Sequence, residues 1–108
     1  MRLLALLFYF LFPLLLSAST PDSTYTENGT TYYYNQYYKT GQPKVKRSAA
    51  AKRAFLKSQG LTKTPKGYEI DHIIPLHQGG TDTPDNMQLL TIEEHKEKTR
   101  EERQRLLN

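Results

Sequence analysis

Three short stretches of the chain carry side chains that could bind a metal ion and move a proton. Asp71 and His72 are adjacent, Asn86 lies further along, and His95 follows it. Carboxylate and imidazole groups suit hard or borderline divalent ions such as Mg²⁺, Mn²⁺, Ni²⁺ or Zn²⁺, so Asp71 and His95 are candidate ligands. A neutral His72 beside such an ion could take a proton from water.

A long basic stretch precedes these residues. Between Asn28 and Tyr68 the chain has nine basic residues and no acidic one, which favours a polyanionic partner over a merely solvated face. Phosphodiester cleavage needs an ion to neutralise the phosphate, a base to make the nucleophile and cations to hold the backbone. The candidate cations for nucleic-acid binding are Lys46, Arg47, Lys52, Arg53 and Lys98.

Predicted helices and strands can bring the three stretches together. Ser48–Gln59 predicts a short basic helix, and Tyr68–Ile74 and Met87–Leu90 predict a strand and a returning strand. Thr91 fits the start of a capping box that opens a helix to about Leu106. Because such a helix folds back across the strand pair, the three stretches can meet in one site.

Ideal strand geometry places one obstacle in the way of a shared site. Adjacent strand residues point to opposite faces, so Asp71 and His72 would point apart in a regular strand. For both to serve one site, the backbone must twist or leave ideal geometry, which the nearby Pro75 makes plausible.

The same residues also resemble a known family. Their pattern is similar to that of HNH endonucleases, the ββα-metal or His-Me finger nucleases, over about 68–99. The basic helix from Arg47 resembles the segment that precedes the motif in small exported bacterial members. The residues that carry the resemblance are Tyr68–Leu76, Gly79-Gly80, Asp85–Leu90, His95 and Lys98-Thr99.

The resemblance implies a role for each residue and an overall fold. His72 is similar to the general base, and Asp71 and His95 to the ligands of one divalent ion, with Mg²⁺ or Mn²⁺ favoured over Ni²⁺ or Zn²⁺. Asn86 resembles the central asparagine, which organises the loop through hydrogen bonds to backbone. The four-cysteine zinc site of many relatives is missing, since the chain has no Cys. The implied fold is α+β, a ββα-metal motif preceded by a basic helix in a small single domain.

The N-terminal part of the chain predicts export. Residues 1–19 combine a positive Arg2, an uncharged apolar run and small residues before a cut after Ser19, which is the layout of a signal peptide. The apolar run is shorter than the roughly 20 residues of a transmembrane helix. We therefore expect a secreted or periplasmic protein without stable membrane association after cleavage.

Residues 20–43 are polar and rich in tyrosine, and we expect them to form a disordered spacer before a nuclease domain at 44–108. The tyrosines could stack on nucleobases, although solvated tyrosines in a spacer are the favoured interpretation. Glu69 shares a strand face with Asp71 and could support a metal ligand, but pairing with a lysine is the favoured interpretation.

The favoured function is metal-dependent hydrolysis of nucleic acid, with DNA favoured over RNA. One alternative is a non-catalytic exported nucleic-acid-binding protein, and another is a secreted nuclease toxin or effector. Taken singly, His72 could be a structural histidine and His95 a surface helix residue. The complete set of Asp-His, Asn and His favours the enzyme, because a binding protein would not need it.

Overall fold

The computed structural model describes residues 23–108, so the signal peptide predicted at 1–19 lies outside the described residues. The strands form two antiparallel sheets, one in the order β1-β2-β3 and one that pairs β4 with β5. The fold is therefore small and α+β, as predicted. Its elements are β1 (Thr24–Glu27), β2 (Thr30–Tyr37), β3 (Pro43–Val45), α1 (Ala49–Ser58), β4 (Tyr68–His72), β5 (Met87–Thr91) and α2 (Ile92–Leu107), with 3₁₀ turns at Leu76–Gln78 and Pro84–Asn86.

The β4, β5 and α2 elements form the predicted strand–strand–helix unit. The register pairs Asp71 with Gln88 and His72 with Met87. Helix α2 follows β5 directly because Thr91 and Glu94 form a capping box, and α2 contacts both strands. The hydrogen bonds from Thr91 hold the pKa of the Glu94 carboxyl below its usual value. The helix start that carries His95 is thus fixed to the end of β5.

The structure differs from the prediction in the tyrosine-rich stretch. Within the predicted spacer at 20–43, β1 and β2 form a hairpin, and β3 adds a third strand. Asn28 and Gly29 form its turn with φ angles of 51° and 77°, the positive values that a tight two-residue hairpin turn requires. The prediction of disorder is wrong for this part because the turn and the strand pairing order the polar chain.

Tyrosine side chains support this sheet across its strands. The rings of Tyr25 and Tyr32 stack with centroids 5.3 Å apart, and Tyr34 lies 4.7 Å from Tyr25. Aromatic cross-strand pairs of this kind stabilise a sheet that has little apolar surface to bury.

The three-stranded sheet packs against the rest of the chain around a small core. The buried apolar side chains come from β3, α1, the first 3₁₀ turn and β5; they are Val45, Phe55, Leu56, Leu76 and Met87. No helix within residues 23–108 is long and apolar enough to cross a membrane.

Candidate active site

All three histidines of the chain line one cavity of about 280 Å³, together with Asp71 and Lys98. We call it the histidine cavity. His72 comes from β4, His77 from the 3₁₀ turn that follows, and His95 from α2. Asp71 and His72 both reach the cavity although they are neighbours, because His72 is the last residue of β4, where the chain leaves the strand.

Asp71 and His95 face each other across the cavity. The Asp71 Oδ1 atom lies 3.4 Å from His95 Nε2, and the Glu69 carboxylate contacts Nδ1 on the other side of the ring. A carboxylate on one ring nitrogen orients metal-binding histidines and leaves the other nitrogen as the ligand. Glu69 therefore does not pair with a lysine as predicted, because it shares with Asp71 the strand face that α2 covers.

The residues present fit a divalent ion with two protein ligands. Donors that bind one such ion at 2.0–2.2 Å lie about 3 Å from each other, close to the separation of Asp71 and His95. Residues 23–108 contain no group of three or more His, Cys, Asp or Glu side chains placed to hold an ion. Two ligands suit Mg²⁺-like ions, which keep several waters and also bind substrate phosphates.

Lys98 pairs with the carboxylates of the cavity. Its Nζ atom lies 2.9 Å from Asp71 Oδ2, donates to the His72 carbonyl oxygen at 3.1 Å, and contacts the Glu102 carboxylate. Burial opposes the charge of Lys98, but hydrogen bonds with Glu102 and Asp71 outweigh it and raise the pKa of Lys98 above its usual value. Lys98 thus fixes the Asp71 carboxylate, and its contact with nucleic acid stays a prediction.

His72 is held by a residue that the sequence analysis did not identify. The Nε2 atom of His72 lies 2.9 Å from Oδ1 of Asp82, a loop residue that is only 3% exposed. A carboxylate at Nε2 favours the tautomer that carries its proton there, which leaves Nδ1 free to accept a proton.

Asp82 is itself fixed by distant parts of the chain. Its Oδ2 atom accepts from the backbone N–H of Ser48, the N-cap of α1, at 2.6 Å. Its own N–H donates to Thr30 Oγ1, in β2, at 3.0 Å. No local pattern in the sequence marks this residue, because its partners lie 34 and 52 residues away along the chain.

Asn86 ties together the loop between β4 and β5. Its Oδ1 atom accepts from the N–H of Ile74 at 2.9 Å, and its Nδ2 donates to the carbonyls of Ile74 and Thr81 at 3.0 and 2.7 Å. These are backbone contacts of the kind that the resemblance implies. Asn86 is buried and is not among the described residues that line the histidine cavity, so it acts on the loop that carries Asp82.

The predicted basic residues separate into two groups. Arg47 and Lys52 line a second cavity that His72 and Asp82 also line, and Arg47 lines the histidine cavity as well. Lys46 and Arg53 line neither of these cavities. Within residues 23–108 these four cations form no ion pair, so their charges face solvent.

Comparison with known families agrees with this geometry. Residues 57–101 match the family model described as HNH endonuclease, a range that contains β4, β5 and most of α2. The match confirms the predicted resemblance to HNH endonucleases over this range, and that family has a ββα-metal fold. HNH nucleases are hydrolases that act on nucleic acid and generally use a divalent metal ion. Comparisons with curated proteins and with solved structures give no significant match.

Proposed function

We propose that this protein is a metal-dependent endonuclease that hydrolyses phosphodiester bonds of nucleic acid, with DNA favoured over RNA. One observation carries the proposal. The His72 ring, held by Asp82, lines the same cavity as the facing donor atoms of Asp71 and His95. A proton acceptor and an ion-binding pair therefore share one space that is open to a substrate.

The residues of the cavity divide the reaction between them. His72 Nδ1 accepts a proton from the attacking water as its oxygen bonds to phosphorus, and Asp82 keeps the ring in the required tautomer. Asp71 and His95 would hold a divalent ion, and that ion would supply positive charge to neutralise the scissile phosphate. The bond to the leaving ester oxygen then breaks and that oxygen takes a proton from solvent water, which by the resemblance leaves a 5′-phosphate and a 3′-hydroxyl.

Arg47 and Lys52 are the cations best placed to hold the phosphates on either side of the cut. Both line a cavity together with His72, and neither is paired with a carboxylate within the described part of the chain. Contacts to phosphates position a nucleic acid without reading its sequence, so we expect cleavage with little base preference.

The test is incubation of the purified protein with supercoiled plasmid DNA, first with EDTA and then with added Mg²⁺ or Mn²⁺. We expect no cleavage with EDTA and nicked or linear DNA after the ion is restored. A protein that retards the plasmid in a gel but never cuts it with any divalent ion would instead be the non-catalytic binding protein.

The proposal includes export through cleavage of residues 1–19. The expected mature chain begins at Thr20, because Ser17 and Ser19 are well-placed small residues before the cut. Intact-mass measurement of material recovered outside the cytoplasm checks this start. A mass that retains residues 1–19 would replace secretion with membrane anchoring.

A further inference from the structure

A groove on the three-stranded sheet continues the histidine cavity. It has a volume of about 520 Å³, and we call it the tyrosine groove; it is lined by Tyr33, Gln36, Tyr38, Lys44, Val45 and Arg47. Tyr38 and Arg47 line the histidine cavity as well, so the two spaces adjoin. All of the groove lies outside residues 57–101, the range that matches the HNH family.

An irregularity in β2 determines which of its side chains line the groove. Asn35 has a φ of 58°, and the pairing of β2 with β3 shifts register between Tyr32 and Tyr37. An extra residue in a strand resets the alternation of its side chains. Tyr33 and Gln36 therefore both line the groove although they are three residues apart.

Tyr38 forms a fixed wall between the groove and the histidine cavity. Its hydroxyl oxygen accepts from the backbone N–H of Val45 at 3.3 Å, and its ring meets the edge of the His77 ring with centroids 6.5 Å apart. These contacts hold the ring in place, so the passage between the two spaces has a rigid aromatic side.

The chemistry of the groove suits a nucleic-acid strand. Lys44 and Arg47 supply two cations that form no ion pair within residues 23–108, and no acidic residue lines the groove. Tyr33 and Tyr38 supply aromatic rings beside these cations. Positive grooves with aromatic rings are how proteins hold unpaired strands, because phosphates meet the cations and bases stack on the rings.

We propose that the tyrosine groove binds an unpaired nucleic-acid strand next to the phosphate that is cleaved in the histidine cavity. Tyr33 stacks on a base, while Lys44 and Arg47 contact the flanking phosphates. The inference rests on the proposed nuclease function and names its substrate class, a strand with an unpaired segment. A fully paired duplex offers the groove only its phosphates, because its bases are already covered by their neighbours in the stack, so it lacks the stacking contact with Tyr33.

The test measures binding of a fluorescently labelled single-stranded oligonucleotide of about 12 nucleotides by anisotropy, with Mg²⁺ present and in a His72→Ala background that does not cut. Tyr33→Leu should weaken the affinity about fivefold or more, since one stacked base is lost. Tyr33→Phe keeps the ring and should bind like the parent. Tyr37→Leu is the matched control, because Tyr37 is exposed on the same strand and lies outside the groove.

A second variant tests the phosphate contacts. Lys44→Ala should lower the slope of log affinity against log salt concentration by about 0.7 on single-stranded DNA, which corresponds to one phosphate contact. Thermal unfolding of each variant shows whether the sheet stays folded, and the comparison of Tyr33→Phe with Tyr33→Leu stands even if both are less stable.

Two results would overturn the proposal. One is equal affinity of Tyr33→Leu and Tyr37→Leu for the oligonucleotide. The other is an equal loss by Tyr33→Leu on single strand and duplex, because stacking needs an unpaired base.

Hydrolysis of bis(4-nitrophenyl) phosphate by the protein with His72 intact separates the groove from the chemistry, since this small diester does not reach the groove. Tyr33→Leu should hydrolyse it at the parent rate. If the parent protein cuts no phosphodiester but binds the strand through Tyr33, the nuclease function is refuted and the groove remains a binding site.

Discussion

Asp82 connects the proton-accepting histidine to two other parts of the fold, the start of α1 and β2. Its carboxylate bonds to His72, its second oxygen accepts from the start of α1, and its own N–H reaches Thr30 in β2. A buried carboxylate with these contacts can hold an imidazole in one orientation and one tautomer. His72 is therefore positioned by the surrounding chain rather than by β4 alone.

We predict that Asp82→Asn lowers kcat for DNA cleavage by about 10- to 100-fold, the usual effect of removing a partner of this kind. Metal affinity and DNA affinity should stay close to those of the parent, because Asp82 contacts neither proposed ligand. If Asp82 were only a structural residue, its substitution would change kcat, metal affinity and DNA affinity together. Asp85→Asn is the control, since Asp85 is an exposed carboxylate in the same loop.

The sequence identified some site residues and not others for a physical reason. Asp71, His72 and His95 lie in stretches whose strand and helix patterns place them together, and the structure brings them to one cavity. Asp82 and Glu69 act through contacts that depend on tertiary packing, which no local pattern records. The sequence shows that Glu69 and Asp82 are carboxylates, but it does not show which residues they contact.

In the loop between β4 and β5, the backbone at Gly80 packs closely against Ile74 and Asn86. The N–H of Gly80 donates to the Pro75 carbonyl at 3.0 Å. A Cβ atom on Gly80 would lie 1.9 Å from the Ile74 carbonyl oxygen and 2.9 Å from Asn86 Nδ2. Only glycine fits there, and the Asn86 hydrogen bonds require this packing.

Gly80→Ala should therefore destabilise the protein by about 1–3 kcal/mol or more, because backbone atoms must move and the Asn86 contacts are disturbed. This loss lowers Tm by about 4–8 °C per kcal/mol in a domain of this size, measured by thermal unfolding. Gly60→Ala is the control: Gly60 has a φ of 74° but open space around it, so only the backbone cost remains. Equal losses in the two variants would contradict the role assigned to the close approach.

The elements themselves were predicted unevenly. The β4, β5 and α2 elements follow strong local signals, including the capping box at Thr91 and Glu94, and the structure agrees with them to within two residues. The β1–β2 hairpin was missed because its strands are polar and half-exposed and lack an apolar alternation. The Asn28-Gly29 pair between tyrosine- and threonine-rich strands was the available signal, since this dipeptide favours a tight hairpin turn.

The separation of basic and acidic residues along the chain favours nucleic acid as the partner. The nine bases between Asn28 and Tyr68 fall on β3, α1 and the connecting segments, and two of them, Arg47 and Lys52, line a cavity together with His72. The cations that face solvent are accessible to phosphates. Most carboxylates lie after Gly80, and several of them form ion pairs within α2.

Duplex binding should accordingly weaken steeply with salt and show little dependence on base sequence. Each phosphate neutralised contributes about −0.9 to the slope of log affinity against log salt concentration, so Arg47→Ala should reduce the slope by about 0.9. Arg105→Ala is the control, because Arg105 lies in the last turn of α2, roughly 15 Å along the helix from His95. Titration of an uncleaved duplex at several salt concentrations measures both, and a flat response would contradict the electrostatic account.

The most direct test of the central claim is the rate of plasmid cleavage as a function of Mn²⁺ concentration for three histidine variants. His72→Ala should lower the maximal rate by about 10²–10⁴-fold, because a base is lost. The Mn²⁺ concentration that gives half of the maximal rate should not change, because both metal ligands remain. His95→Ala should raise that Mn²⁺ concentration, and His77→Ala should behave like the parent. If His77→Ala shifts the metal dependence and His95→Ala does not, the assignment of the second ligand is wrong. If all three variants cut like the parent, the account of the histidine cavity as the active site is contradicted.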